Sequence, residues 1–221
     1  MKKSFYLVVA FIFVLHPAAL AVSKPHVIAF GKWTTVKCVA RDSESSVDVR
    51  VRGLYIDTRL KEYTSGPAHE VTDRLFVVRR VFRVNDSLPQ ENVAAARWIW
   101  ELGGWLMVDR ATGRISQLAL PEFDASVSEV AWYRDYVAYC GFSDDGKSVF
   151  AMIMQLGRRK PVLKKALGIA PSDGPDPSCS APEWQRLPIR VTFGLSNNQK
   201  LNYSVRGNAL SVVSDAEDEA D

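Results

Sequence analysis

Aromatic and basic side chains form the pattern in this chain that best suits a binding surface. Trp132, Tyr133 and Arg134 are consecutive, and Arg158 and Arg159 follow about one hairpin later. Aromatic rings stack on sugars and bases, whereas guanidinium groups bind anions. The same residue types also fill β cores and protect sheet edges against aggregation, and those are their commoner roles. If the chain binds a partner, these five residues are the predicted binding residues.

Carboxylates offer a second kind of chemistry between residues 98 and 145. Two carboxyl groups that flank a glycosidic bond can hydrolyse it as acid and base, or as acid and nucleophile. Asp124, Glu129 and Asp135 are scattered through this region, and Asp144 and Asp145 are adjacent in a turn-forming segment. Adjacent acids before a glycine are typical of turn geometry. A carboxylate-dependent hydrolase of an extracellular or cell-wall polymer is therefore the alternative to a binding protein.

Other catalytic and metal-binding patterns are missing from the sequence. His26 and His69 are the two histidines after residue 21, and neither has the spacing of a metal-ligand motif. There is also no Gly-x-Ser-x-Gly elbow, phosphate-binding loop or dinucleotide motif. The sequence therefore predicts no catalytic residues, no metal ligands and no cofactor, and it favours a non-enzymatic protein.

The first 21 residues have the three-part pattern of a cleaved signal peptide. Lys2 and Lys3 precede an apolar run from residue 5 to 15, and Ala19-Leu20-Ala21 supplies the small residues of a cleavage site. The run is shorter than the ~20 residues of a membrane-spanning helix, and no second such run follows. We therefore expect a periplasmic or secreted protein with no transmembrane segment after signal cleavage.

Charge is unevenly distributed along the chain. The net charge is +3, but without Lys2 and Lys3 the count is 26 basic to 25 acidic residues. A nearly neutral protein has no general attraction to nucleic acid, so the expected partner is an unknown protein or glycan. Residues 215–221 carry five acids and no base, which is typical of a disordered tail.

Three cysteines remain after the predicted signal: Cys38, Cys140 and Cys179. A disulfide can persist in an exported protein, although the sequence does not determine which cysteines pair. Cys38 and Cys140 lie in strand-like segments, where a small buried side chain is common. Cys179 lies in a proline-rich segment. If a bridge forms, Cys140–Cys179 is the pair we favour.

Alternating polar and apolar residues dominate the sequence after residue 21. Segments 46–52 and 54–63 alternate with a period of two, which predicts strands with one buried face. Residues 93–97 are the one weak helical turn of note, His69 lies in a predicted loop, and the strand beginning at Trp98 is expected to stop at Gly103-Gly104. Prolines and glycines make 168–182 a loop or linker. Residues 22–214 are thus one all-β, antiparallel domain.

Two hairpins in the middle of the chain carry a resemblance. WLMVDRATGRISQLALP (105–121) and VAYCGFSDDGKSVFAMIMQ (137–155) pair strands across Thr-Gly and Asp-Asp-Gly-Lys turns. Residues 105–163 thus resemble blades of bacterial β-propellers of the TolB-like and WD-repeat-like kinds. The resemblance implies four-stranded blades, but a closed ring needs four or more, each of ~40–45 residues. It implies a small or incomplete β-propeller-like array, with a β-sandwich as the alternative, and no particular activity.

Overall fold

The computed structural model describes residues 25–39, 46–88, 96–169, 180–194, 200–206 and 211–214. Within these ranges the chain forms fifteen strands and no helix, which confirms the all-β prediction. The predicted signal peptide (1–21), residues 93–95 of the helical turn, Cys179 and the acidic tail (215–221) lie outside the described residues. The strands are β1 (Ile28–Phe30), β2 (Thr34–Val39), β3 (Ser46–Ile56), β4 (Arg59–Glu70), β5 (Leu75–Asn85), β6 (Trp98–Asp109), β7 (Arg114–Leu118), β8 (Val130–Tyr133), β9 (Tyr136–Phe142), β10 (Ser148–Gln155), β11 (Leu163–Ile169), β12 (Glu183–Gln185), β13 (Arg190–Gly194), β14 (Lys200–Arg206) and β15 (Ser211–Ser214).

The strands form three sheets in chain order. The first sheet has the order β1-β3-β2-β6-β5-β4, with β7 paired to β6. Because β3 also pairs with β4, the pairings of this sheet form a closed ring. The second sheet has the order β11-β10-β9-β8, and the third has the order β12-β13-β14-β15. All the pairings between described strands are antiparallel except β2–β6, which are parallel at Cys38 and Trp100.

The hairpin between β3 and β4 differs from the sequence prediction. Residues 54–63 alternate as if they formed one strand, but the chain reverses at Asp57 and Thr58. Both residues have positive φ, 50° and 67°, as the right-handed strand twist favours in a two-residue turn. The Asp57 carboxylate accepts hydrogen bonds from the backbone N–H of Val27 at 3.0 Å and pairs with His26 Nδ1 at 2.7 Å. These contacts lower the pKa of Asp57.

Three further boundaries correct the sequence prediction. β6 does not stop at Gly103-Gly104 but runs through both glycines to Asp109. A Cβ on Gly103 would lie 3.2 Å from the Phe82 ring, so the glycine allows close packing next to a bulge in β5. His69 lies in β4 rather than in a loop. Finally, β11 extends to Ile169, two residues into the predicted loop 168–182.

The second sheet is buried on both faces. On one face, β9 and β10 pack against Val191 and Phe193 of β13 and Tyr203 of β14. On the other, Tyr139 and Met152 pack against side chains of the segment between β7 and β8. This double coverage explains why β9 and β10 are apolar without alternation, as the sequence suggests for strands between stacked sheets.

The segment between β7 and β8, residues 119–129, joins the first sheet to the second. Tyr139 donates a hydrogen bond to the Pro121 carbonyl at 2.8 Å, and Ser128 donates to the Cys140 carbonyl at 2.7 Å. From the first sheet, Arg79 donates to the carbonyl of Ala125.

In the described ranges no helix is long and apolar enough to cross a membrane.

Candidate binding surface

Four of the five predicted binding residues lie at one end of the second sheet, in the turn between β8 and β9 and in the loop after β10. Tyr133 ends β8, and Arg134 and Asp135 form the turn, with Arg134 at a φ of 53°. Asp135 joins this turn to the end of β10: its carbonyl accepts from the Leu156 N–H and its carboxylate from Gln155 Nε2, both at 2.8 Å. Arg158 and Arg159 lie in the loop that follows. We call Tyr133, Arg134, Arg158 and Arg159 the sheet-end patch.

Trp132 and Tyr133 lie on opposite faces of the second sheet, because successive residues of a strand alternate. Trp132 contacts the first sheet: its ring stacks on His69 at 5.4 Å and meets the Trp105 ring at 5.2 Å. Its indole N–H is buried without a hydrogen-bond partner. Trp132 is therefore half-buried between two sheets and does not share a surface with Tyr133.

Tyr133 instead faces the third sheet, where it stacks on Trp184 with ring centroids 5.4 Å apart. Trp184 also donates a hydrogen bond from its indole N–H to the Ala131 carbonyl at 3.1 Å. Trp184 lies about fifty residues from Tyr133, and no pattern in the sequence links the two. Only the packing of β12 beside β8 shows that the two rings form one platform.

Positive charge is concentrated on the sheet-end patch. The Arg134 guanidinium lies 5.3 Å from the centre of the Tyr133 ring. Arg134, Arg158 and Arg159 are exposed, and none forms an ion pair with any residue that the structure describes. Burial and the nearby Asp135 raise the pKa of Tyr136, and the charge of Arg158 lowers it in part. The patch therefore offers three arginines to an external anion.

His69 links the patch to the first sheet. Its Nε2 lies 2.7 Å from the Arg134 carbonyl, and its ring stacks on Trp132. His69 lies directly after a bulge in β4, so this contact places the Arg134 turn next to that bulge. The sequence gives no sign of this contact, because 65 residues separate the two partners.

A cleft of about 730 Å³ lies between the first sheet and the 119–126 segment. Four carboxylates line it: Glu101, Glu122, Asp124 and Asp144. Glu122 forms an ion pair with Lys164, while its other oxygen is buried without a hydrogen-bond partner. Three phenylalanine side chains also line the cleft: Phe82, Phe123 and Phe142.

The carboxylates singled out from the sequence are only partly brought together. Asp124 and Asp144 line the cleft, whereas Glu129, Asp135 and Asp145 do not. Asp124 accepts from the N–H and hydroxyl of Ser126, and Asp145 accepts from the Ser143 hydroxyl and the Lys147 N–H. The bonds to Ser143 and Lys147 lower the pKa of Asp145. Asp124 and Asp145 thus stabilise local turns.

Two of the three cysteines have a described state. Cys38 is a buried free thiol whose pKa is raised by burial, and Cys140 is disulfide-bonded. Cys179 lies outside the described residues, so its pairing with Cys140 stays a prediction.

In the part of the chain that the structure covers, no group of three or more His, Cys, Asp or Glu side chains could hold a metal ion.

Comparison with known proteins assigns no family to this geometry. No protein-family model, curated protein or solved structure matches the chain.

Proposed function

We propose that this protein is an exported, non-enzymatic β protein that binds an acidic partner, either a protein or a surface glycan, through the sheet-end patch. The observation that carries the proposal is the exposed Arg134 beside the stacked rings of Tyr133 and Trp184, with the exposed Arg158 and Arg159 in the loop that follows β10. The predicted signal peptide is the basis for a periplasmic or secreted location.

The chemistry of the patch supports an anionic partner. A guanidinium group presents a planar fork of donors that fits carboxylate, sulfate and phosphate groups. An anionic partner at this end of the sheet would be attracted by the positive charges of Arg134, Arg158 and Arg159. The Arg134 guanidinium lies 5.3 Å from the Tyr133 ring centre, and contact with the ring favours this placement, so less entropy is lost on binding.

The test compares two triple variants with the same change in charge. In the first, alanine replaces Arg134, Arg158 and Arg159. In the matched control, alanine replaces three exposed basic residues of the first sheet: Arg59, Lys61 and Arg114. Both are measured by biolayer interferometry against a panel of purified acidic proteins and of sulfated or phosphorylated glycans that contain no uronic acid.

An exposed charge pair contributes ~0.2–1 kcal/mol. If each of the three arginines forms one such pair with the partner, the patch variant should bind with about tenfold lower affinity. The control is expected to change the affinity less than threefold. Equal losses in both variants would show that only net charge matters, and unchanged binding by the patch variant would refute the assignment.

A hydrolase that uses carboxylates is the second candidate function, and the cleft is the observation that favours it. Glu101 and Asp144 line the cleft and could act as the acid–base pair on an extracellular or cell-wall polymer. The test is release of reducing sugar ends from purified polysaccharides. A hydrolase predicts activity that Glu101→Gln and Asp144→Asn abolish; no activity in the wild type, under conditions where it is folded, would refute this candidate.

For the architecture we propose a small, incomplete β-propeller-like array. Three four-stranded antiparallel units follow one another in the chain: β4–β7, β8–β11 and β12–β15. Contacts on both faces of the second unit support blade-like stacking. A β-sandwich is the alternative, in which the second and third sheets form the two layers. An experimental structure distinguishes the two, since blades radiate from a shared axis and sandwich sheets do not.

A further inference from the structure

In a groove on the first sheet, two arginine side chains lie next to one tryptophan ring. Its cavity of about 420 Å³ is lined by Trp33, Arg50, Arg52 and the segment 66–68. Arg50 and Arg52 lie on one face of β3 because they are two residues apart. Trp33 comes just before β2, and Thr34 pairs with Val51, so the register of β2 and β3 places the indole beside both arginines.

Arg52 is held in place between two aromatic rings. Its guanidinium carbon lies 3.8 Å from the centre of the Phe30 ring and 4.3 Å from that of the Trp33 ring. Phe30 is itself packed edge-on against the core residue Phe76 at 5.9 Å. The Nε of Arg52 is buried without a hydrogen-bond partner, and burial lowers the pKa of the group. The groove thus contains a positioned and partly desolvated cation.

Arg50 adds a second positive charge to the same ring. The guanidinium carbon of Arg50 lies 5.2 Å from the centre of the Trp33 ring, and that of Arg52 lies 4.3 Å from the same point. Both cations therefore border one indole ring. Neither Arg50 nor Arg52 forms an ion pair with a residue in the described ranges. Asp48, on the same face two residues before Arg50, is bound to Lys37 at 3.2 Å. An anion bound beside Trp33 would therefore be attracted by the positive charges of both Arg50 and Arg52.

The opposite wall of the groove is apolar and open. It is formed by a bulge in β4, where the pairing register shifts between Ser65 and His69. Gly66 has a φ of 68°, and a Cβ there would meet no atom within 4 Å. Pro67 and Ala68 present no polar side-chain atom. Bulges commonly occur beside functional sites, where they reshape a sheet edge.

We propose that this groove binds a carboxylate-bearing sugar, such as a uronic acid within an acidic glycan. The carboxylate pairs with Arg50 and Arg52, since planar guanidinium groups match it with two parallel hydrogen bonds. The apolar face of the sugar ring packs on Trp33, which is 38% exposed, and on Pro67 and Ala68. The cavity falls within the ~300–1,000 Å³ of small-ligand sites. The inference shares no residue with the sheet-end patch, so it does not rest on the proposed function.

The experiment is isothermal titration calorimetry with four probes: trigalacturonic acid, neutral maltotriose, sodium acetate and a hexaglutamate peptide. We expect the wild type to bind trigalacturonic acid at least tenfold more tightly than the other three. If maltotriose bound equally tightly, the carboxylate would not be recognised and the proposal would be wrong. If acetate bound equally tightly, the sugar ring would not be recognised and the proposal would also be wrong. Tighter binding of hexaglutamate would assign the groove to a protein partner and overturn the proposal.

Variants locate the binding to the groove. Arg50→Gln and Trp33→Ala should each weaken trigalacturonic acid binding at least tenfold, and Arg52→Lys should weaken it because the charge remains but the planar fork is lost. The matched control is Arg83→Gln, since Arg83 also lies over two tryptophans, at 5.4 and 5.5 Å, but outside the groove. The patch variant should bind trigalacturonic acid normally. Wild-type affinity in Arg50→Gln, or equal loss in Arg83→Gln, would overturn the proposal.

Discussion

Replacement of Phe193 by alanine tests the packing of the second sheet on the third. Phe193 lies in β13 and is 0% exposed. Its ring meets Tyr203 edge-on at 6.0 Å, and it belongs to the same buried cluster as Ile153 of β10. The substitution therefore removes an aromatic ring from the centre of the contact between these sheets.

The magnitude follows from the area that the ring buries. A buried aromatic side chain removes ~150–250 Å² from water, and at ~25 cal/mol per Å² this contributes about 4–6 kcal/mol as an upper bound. Phe-to-Ala substitutions in cores cost about 3–5 kcal/mol. We expect the free energy of unfolding to fall by about 3–5 kcal/mol. For a chain of this size the melting temperature should fall by roughly 6–20 °C.

Urea unfolding followed by far-ultraviolet circular dichroism measures this loss. Leu187→Ala is the control, since Leu187 is 87% exposed and a surface substitution usually changes stability by less than ~0.5 kcal/mol. A loss below about 1 kcal/mol for Phe193→Ala, or similar losses in both variants, would refute the packing of these two sheets.

Three further substitutions test local contacts. Thr58→Gly should stabilise the protein by about 1 kcal/mol in urea, because a β-branched residue at a φ of 67° is strained and glycine is not; a loss of stability would contradict this. Tyr139→Phe should cost about 1–2 kcal/mol, because the part-buried hydrogen bond from its hydroxyl to the Pro121 carbonyl is lost; an unchanged urea midpoint would contradict it. The bidentate Arg74 contact holds the pKa of Asp109 well below its usual range, so this carboxylate stabilises the fold above pH ~4 and the effect disappears as the pH falls further. Melting curves should therefore show Asp109→Asn less stable than wild type at pH 7, with the difference shrinking below pH ~4; a constant difference down to pH 2 would refute it.

Much of the fold could be predicted from local pattern. The turns at residues 110–113 and 143–147 contain glycine after polar residues, and both hairpins are confirmed in the structure. The Asp57-Thr58 turn cannot be recognised from the sequence, because it contains no glycine and the alternation of the flanking strands continues through it. The predicted stop at Gly103-Gly104 is wrong because these glycines allow close packing beside a bulge rather than a chain reversal.

The candidate sites were less accessible to sequence reasoning, because they depend on register and on contacts between sheets. The consecutive residues Trp132 and Tyr133 suggested one aromatic surface, but strand alternation separates their rings onto two faces. Trp33 and Arg52 are nineteen residues apart in the sequence, and the pairing of β2 with β3 brings them together. No local motif marks such a contact.

The most direct test of the central claim, that exposed arginines bind an acidic partner, compares two variants on the tightest ligand from the panel. One variant replaces Arg134, Arg158 and Arg159 with alanine. The other carries Glu101→Gln and Asp144→Asn in the cleft. By biolayer interferometry we predict about a tenfold loss of affinity in the first and wild-type affinity in the second. The reverse result, with binding lost only when the cleft carboxylates are changed, would contradict the proposed function.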